Sequence, residues 1–297
     1  MYHKPVLLSE SVDGLALQPG GVYVDATFGG GGHSQAILNR LEGGKLIAFD
    51  QDDDALANMP KDERICLVNR NYRYLIHYLR YFDAIPVAGI LADLGVSSHQ
   101  LDSAERGFST RFEADLDLRM NRNKGLTAKE VVNTYSEEKL RDILHNYGEI
   151  DNARKAAAAL VSARKPGPIV TTSNLKQALS HCMPRGKENQ YMAQVFQALR
   201  IEVNEELESL REFLEQCEKV LRPGGRLVVI SYHSLEDRLV KNFMRNGNME
   251  GRAEKDFYGN LRTPFRQVTR KPMTPGSSET EENPRSRSAK MRIAEKI

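Results

Sequence analysis

Val22-Tyr-Val-Asp-Ala-Thr-Phe-Gly-Gly-Gly-Gly-His-Ser34 is the stretch whose reading decides the fold. Val22, Tyr23 and Val24 predict a short buried strand ending at Asp25. Gly29 to Gly32 follow, and Ser34 to Leu41 has the composition of a helix. Strand, glycine turn and helix let a backbone approach a ligand closely, because no Cβ stands in the way. A second apolar run, Lys45-Leu-Ile-Ala-Phe-Asp50, ends in another carboxylate. An acid at that place is where a doubly wound sheet grips ribose hydroxyls.

The glycine pattern narrows the ligand. A dinucleotide fingerprint needs G-x-G-x-x-G, and counting from Gly29 the sixth position is Ser34. A phosphate loop needs Lys after its last glycine, and here His33 follows. What remains is a glycine turn between two carboxylates, Asp25 and Asp50. That is a poor cradle for pyrophosphate. It suits a ligand with a ribose and a positive centre, such as the sulfonium of S-adenosylmethionine. A tight strand-helix turn that binds nothing would look the same locally.

Working outward, Ser9 to Leu17 predicts a leading helix, and Asp52 to Met59 a helix after the second strand. Ile65 to Val68 predicts a third strand, Tyr72 to Tyr81 a helix, and Val87 to Ala92 a fourth strand ending at Asp93. Strands alternating with helices predict an α/β fold with a mostly parallel, Rossmann-like sheet and helices on both faces. Asp25, Asp50 and Asp93 would then share the carboxyl edge, where such sheets bind ligands. From Phe108 to Arg200 no strand pattern stands out. Helices are expected over Thr127–Tyr147, Asn152–Ala163 and from Thr171 to Cys182, with Ser136 as an N-cap. This predicts an all-helical insertion over residues 108–190, with the α/β domain formed by 1–107 and 191–297. Tyr191 to Leu221 reads as one helical return to the core. Arg226–Ser231 reads as a buried strand, with a helix following it to Met244. Phe265–Val268 and Lys290–Ile293 read as two last strands, joined by a long loop rich in Pro, Ser and Glu and expected to be mobile.

The chain has 297 residues, 40% hydrophobic and 28% charged. No segment reaches the ~18–20 apolar residues of a membrane span. The first ten residues lack a signal-peptide apolar stretch, so a cytoplasmic protein with no membrane partner is expected. Cys66, Cys182 and Cys217 are far apart and show no Cys-x-x-Cys spacing, so no metal site is expected and zinc-deaminase chemistry is excluded. Net charge is +2, but eleven Lys and Arg stand against six Asp and Glu from Gly251 onward. A basic end on a near-neutral body points to a polyanionic partner.

Several motifs together carry a family resemblance. They are His3-Lys-Pro-Val-Leu-Leu8, Asp25 to His33, Ala92-Asp-Leu-Gly-Val-Ser-Ser98, Glu105-Arg-Gly-Phe-Ser109, Phe196 to Ile201, Ser231-Tyr-His-Ser-Leu-Glu-Asp-Arg238 and Asn283-Pro-Arg-Ser-Arg-Ser288. Through nearly the whole chain the sequence resembles the bacterial 16S rRNA (cytosine-N(4))-methyltransferases, the ribosomal RNA small-subunit methyltransferase H or MraW family. The resemblance implies a class I methyltransferase fold and S-adenosylmethionine as methyl donor. It implies a cytidine in the decoding region of 16S rRNA as acceptor, within the small ribosomal subunit, with no DNA partner. It implies a cofactor site lined by Gly31, Gly32, His33, Asp50, Tyr72, Asp93 and Gln100. His33 has an alternative as a helix-start residue, and Tyr72 as a core aromatic.

Many amino methyltransferases carry a Pro-Pro-aromatic turn after the fourth strand, and Asp93-Leu-Gly-Val-Ser-Ser98 has none. The usual acceptor of that turn does not carry over, and the candidate that orients the amine by accepting its hydrogens is Asp93 or a backbone carbonyl next to it. His233 and Ser234 could face the same cleft, His233 as a proton carrier or as a structural hydrogen-bonder. Arg285, Arg287, Lys290 and Arg292 are candidates for phosphate contacts. Two other readings stand beside this one: a nicotinamide-dependent oxidoreductase, and a non-enzymatic rRNA-binding assembly factor on the same fold. Binding of S-adenosylmethionine against NAD separates the first, and methyl incorporation into small subunits separates the second.

Overall fold

The strand predicted at the head of the glycine turn forms as Val22–Asp25 (β1), in a computed structural model that describes residues 5–259 and 262–297. His3 and Lys4 of the opening motif lie outside the described residues. Six further strands complete one sheet: β2 (Lys45–Phe49), β3 (Ile65–Val68), β4 (Val87–Asp93), β5 (Leu221–Ser231), β6 (Phe265–Gln267) and β7 (Lys290–Lys296). Their order is β3-β2-β1-β4-β5-β7-β6. The first five are parallel, and β7 runs antiparallel to both β5 and β6.

The sheet separates two cores by the period of two that strands impose. Val24, Ile47, Phe49, Ile90, Ala92, Leu227 and Val229 point to one side. Tyr23, Leu46, Ala48, Leu91, Val228 and Ile230 point to the other. Runs apolar on both faces are what a sheet covered by helices on each side requires. Helices α1 (Leu8–Gly14) and α2 (Gly32–Arg40) supply Val12, Ile37 and Leu38 to the second core. Helix α3 (Leu75–Tyr81) supplies Leu75 and Leu79 to the first. The segments expected as single helices over 52–59 and 72–81 begin or stay as tight 3₁₀ turns, Asp53–Asn58 and Tyr72–Tyr74.

The chain divides into two compact units, Met1–Gly95 with Leu207–Ile297, and Val96–Glu206. The second is helical: α4 (Ser98–Asp102), α5 (Ala128–Thr134), α6 (Glu137–Asn146), α7 (Ala153–Ala163), α8 (Thr172–Leu179) and α9 (Glu188–Asn204). Ser136 caps α6, accepting from the Lys139 N–H. The unit is wider than the expected 108–190, for a packing reason. Tyr191, Met192, Val195, Phe196 and Leu199 of α9 belong to the core of this unit, and Val96 and Leu101 pack on it. Arg106, 2% exposed, donates to the carbonyls of Arg119 and Met120, so the Glu105–Ser109 motif is an internal brace of this unit.

The helical run expected over 191–221 is broken by Glu205 in left-handed backbone, φ 49°. Helix α10 (Glu206–Val220) then lays Leu210, Phe213, Leu214 and Cys217 on the first core of the sheet unit. The helix ends at Val220, and Pro223-Gly-Gly225 lies inside β5, whose pairing with β4 shifts between Val87 and Gly89. Helix α11 (Ser234–Asn246) follows β5. The segment expected as a mobile loop is instead built: it holds α12 (Ser277–Glu282), and Glu279 Oε1 accepts the Leu7 N–H at 2.8 Å.

Candidate active site

In the order β3-β2-β1-β4-β5 the chain reverses its direction of winding between β1 and β4. The crevice beyond the carboxyl ends at such a switch point is the default ligand site of an open α/β sheet. The three strand-end aspartates meet there, with different fates. Asp25 is 1% exposed, and its oxygens accept from the Thr27 N–H at 3.1 Å and the Ser34 hydroxyl at 2.6 Å. It lies at the carboxyl edge, where its bonds tie β1 to the start of α2. Burial pushes its carboxyl up from the usual range.

Asp50 organises the glycine turn. Its Oδ2 accepts the Gly29 N–H at 2.7 Å and its Oδ1 the Asp52 N–H at 2.8 Å. Each oxygen keeps a second lone pair for a hydroxyl donor. Burial dominates over these bonds and raises its pKa to about 6. The glycines then differ. Gly31 caps α2 at φ 77°, where a Cβ would also meet Phe28 at 2.9 Å. At Gly32 a Cβ would stand 2.2 Å from Pro5 Cγ. At Gly29 nothing lies within 4 Å of that position. Of these three, Gly29 is the one whose backbone faces open space, which pattern reading alone could not rank above its neighbours.

Asp93 closes the other side. Its N–H donates to Thr27 Oγ1 at 2.6 Å, and its Oδ1 accepts from the Tyr232 hydroxyl at 2.8 Å. Its Oδ2 lies 3.7 Å from His33 Nδ1, and its side chain is 21% exposed. Burial again raises the pKa to about 6, partly opposed by His33 and the Tyr232 bond. His33 Nε2 sits 3.1 Å from the Val6 carbonyl and donates to it. Tyr72 is half-buried, its ring edge-on to Phe213 at 5.0 Å.

Gln100 belongs to the other unit. There its Oε1 accepts the Ser97 N–H while its own backbone N–H donates to Ser97 Oγ, a capping box on α4. His233 has the structural role of its two readings: it caps α11, with Nδ1 accepting the Glu236 N–H.

The sequence profile described as the MraW methylase family matches residues 1–297. The chain belongs to the MraW methylase family. It is 57% identical over 297 residues to the "Ribosomal RNA small subunit methyltransferase H" of Phocaeicola vulgatus, covering 100% of this chain and 98% of that one. A protein of the same name from Cytophaga hutchinsonii is 56% identical, with both chains covered in full. A solved rRNA methylase from Streptococcus thermophilus aligns over 100% of this chain and 99% of its own at 15% identity, TM-score 0.45.

Membership in a methylase family decides for an enzyme over the non-catalytic assembly factor. The sheet, with its switch point and two-faced core, is the class I methyltransferase fold, and the methyl donor of this methylase is S-adenosylmethionine. The donor set fits that molecule. The charged neighbours acting on Asp50 are Asp52 and Asp25, and those acting on Asp93 are His33, Asp25 and Glu236. An acidic floor beside the open backbone of Gly29 suits ribose hydroxyls and a sulfonium and repels pyrophosphate. Among the described residues, no helix of the methylase is long and apolar enough to cross a membrane.

The basic end needs one correction. Arg292 is 5% exposed and doubly bonded to Asp237, at 2.7 and 3.1 Å. It is an internal ion pair and not a phosphate contact. Lys290 Nζ lies 3.8 Å from the same carboxylate, and Arg287 is exposed.

Proposed function

We propose that this methylase transfers a methyl group from S-adenosylmethionine to the exocyclic N4 amine of a cytidine in the decoding region of 16S rRNA, in the cytoplasm. The names of its relatives support the rRNA substrate. The observation that carries the chemistry is Asp93 at the switch-point crevice: one oxygen held by the Tyr232 hydroxyl, the other 3.7 Å from His33, on a side chain 21% exposed. The cofactor supplies, when bound, a methyl carbon whose bond to positive sulfur breaks with the electron pair going to sulfur.

The chain's residues do the rest. Asp50 accepts the ribose hydroxyls, and the backbone at Gly29 to Gly32 admits the cofactor closely. Tyr72 offers a ring face beside the adenine. The cytosine amine is a weak nucleophile because its lone pair is delocalised into the ring. Asp93 Oδ2 accepts one of its hydrogens, which localises the lone pair and later takes the proton. Holding nitrogen and methyl in near-attack geometry supplies up to ~7–11 kcal/mol in good cases. The helical unit is assigned to substrate recognition. The target base is presented unstacked.

The test is incubation with S-adenosylmethionine and undermethylated small subunits, followed by mass mapping of the modified nucleoside. The expected product is N4-methylcytidine at one position. Methylation on another base, or none on subunits or naked 16S rRNA, overturns the reading.

A further inference from the structure

The Ser231–Arg238 motif contributes one residue to the crevice, and it is Tyr232. We infer that Tyr232 is a positioning residue for methyl transfer, its hydroxyl fixing the Asp93 carboxylate so that Oδ2 alone is presented to the amine. This rests on the reading of Asp93 as acceptor.

The geometry is over-determined. β5 pairs with β4 so that Ile230 stands beside Asp93, which puts Tyr232 just past the strand end. The Leu94 N–H donates to the Ile230 carbonyl and holds the two chain ends together. Gly95, in left-handed backbone at φ 95°, lies against the ring: a Cβ there would stand 3.4 Å from Tyr232 Cδ2. From that seat the hydroxyl reaches Asp93 Oδ1 at 2.8 Å. The rest of the motif holds Tyr232 still. Glu236 Oε2 accepts the Tyr232 N–H at 2.9 Å, His233 caps α11, and Asp237 binds Arg292.

The groups facing Asp93 are His33 from α2, Asp25 from the end of β1, Glu236 from α11 and Tyr232 itself. Asp25 and Glu236 are acids, which oppose the charge on Asp93. His33 Nε2 donates to the Val6 carbonyl, and its Nδ1 lies 3.7 Å from Oδ2, beyond hydrogen-bond reach. The Tyr232 hydroxyl, within hydrogen-bond distance of Oδ1 at 2.8 Å, favours the charged form of the carboxylate. Burial and Asp93 push the phenol well up, so it remains a donor throughout the working range. When the methylated amine gives up its proton, the N–H bond breaks and its electron pair stays on nitrogen. The new O–H bond forms on Oδ2.

Tyr232→Phe keeps the ring on Gly95 and removes only the hydroxyl. Cofactor affinity is expected to hold within about twofold. Single-turnover methyl transfer should slow about tenfold or more, the rate equivalent of one hydrogen bond to a charged group. The acid limb of its pH profile should move to higher pH, because a carboxylate that loses a donor is protonated more easily. An unmoved acid limb overturns the inference, whatever the rate. Asp93→Asn is measured in parallel. If it methylates with the wild-type rate and profile, the acceptor reading itself falls. If it is inactive while Tyr232→Phe behaves as wild type, only the role of Tyr232 falls.

Discussion

Lowering the pH from 7 to 5 should weaken S-adenosylmethionine binding through Asp50. Ribose hydroxyls are donors, and the carboxylate accepts them only where it is ionised. Burial raises the Asp50 pKa to about 6 in the free protein. For a single group at that pKa the ionised fraction falls from about 10/11 to about 1/11 between pH 7 and pH 5, so Kd should rise about tenfold. The sign follows from the direction of the shift: the free site holds its proton up to about pH 6, and the bound site must lose it. Calorimetric titration at half-unit steps measures this, with log Kd changing by about one per pH unit on the acid side. Asp50→Asn should bind more weakly at pH 7, because an amide cannot accept from both the Gly29 and Asp52 N–H groups with the same two atoms. Its pH dependence should be flat. A wild-type Kd constant from pH 5 to 7, or an equal slope in Asp50→Asn, would refute the reasoning. A slope near two would add Asp93, also raised to about 6, to the cofactor contacts.

Three more outcomes are expected. Gly32→Ala drives a Cβ into the Pro5 ring, 2.2 Å away, and should cost about 1–3 kcal/mol in denaturant unfolding while loosening Val6 from His33. Arg292→Ala removes two guanidinium bonds from the half-buried Asp237, which keeps Lys290 3.8 Å away, and should destabilise by about 1–3 kcal/mol, read as a fall in Tm, with unfolding at the wild-type midpoint as the contrary result. Arg287→Ala, on an exposed side chain, should leave Tm unchanged and flatten the salt dependence of rRNA binding by about 0.7–0.9 in log-log slope for each phosphate the arginine had neutralised; an unaltered slope removes Arg287 from the interface.

The parallel sheet was legible because its strands are apolar on both faces, so Val22–Asp25 and Ile65–Val68 could be bounded to the residue. The limits of the helical unit were not. The stripe on α9 continues into α10 at the same spacing, and only the left-handed Glu205 separates the core each one covers. The segment holding α12 misled through composition, since its Ser and Glu residues read as solvent-loving while Glu279 is anchored on the Leu7 N–H. At the site, Asp50 and Asp93 were visible as strand-end acids. Asp25 carried the same signal but is taken up internally by Ser34 and Thr27. Tyr232 was hidden because its partner lies on another strand, and nothing in the local pattern of β5 announces Asp93. Arg292 shows the reverse: it reads as surface charge, yet the antiparallel return of β7 buries it against α11.

The split of the sheet unit around Val96–Glu206 has a consequence for synthesis. Strands β1 to β4 are translated early, with the free edge of β4, Val87-Ala-Gly-Ile-Leu-Ala92, lacking its neighbour. That neighbour, β5, leaves the ribosome only after the whole helical unit has been made. During that interval the growing chain carries an unpaired hydrophobic edge of the kind that invites wrong pairings. The helical unit, continuous in sequence, has every segment of its own core available before β5 arrives. The order of emergence thus makes the insertion a delay line: the crevice between Asp50 and Asp93 gains its Tyr232 wall last.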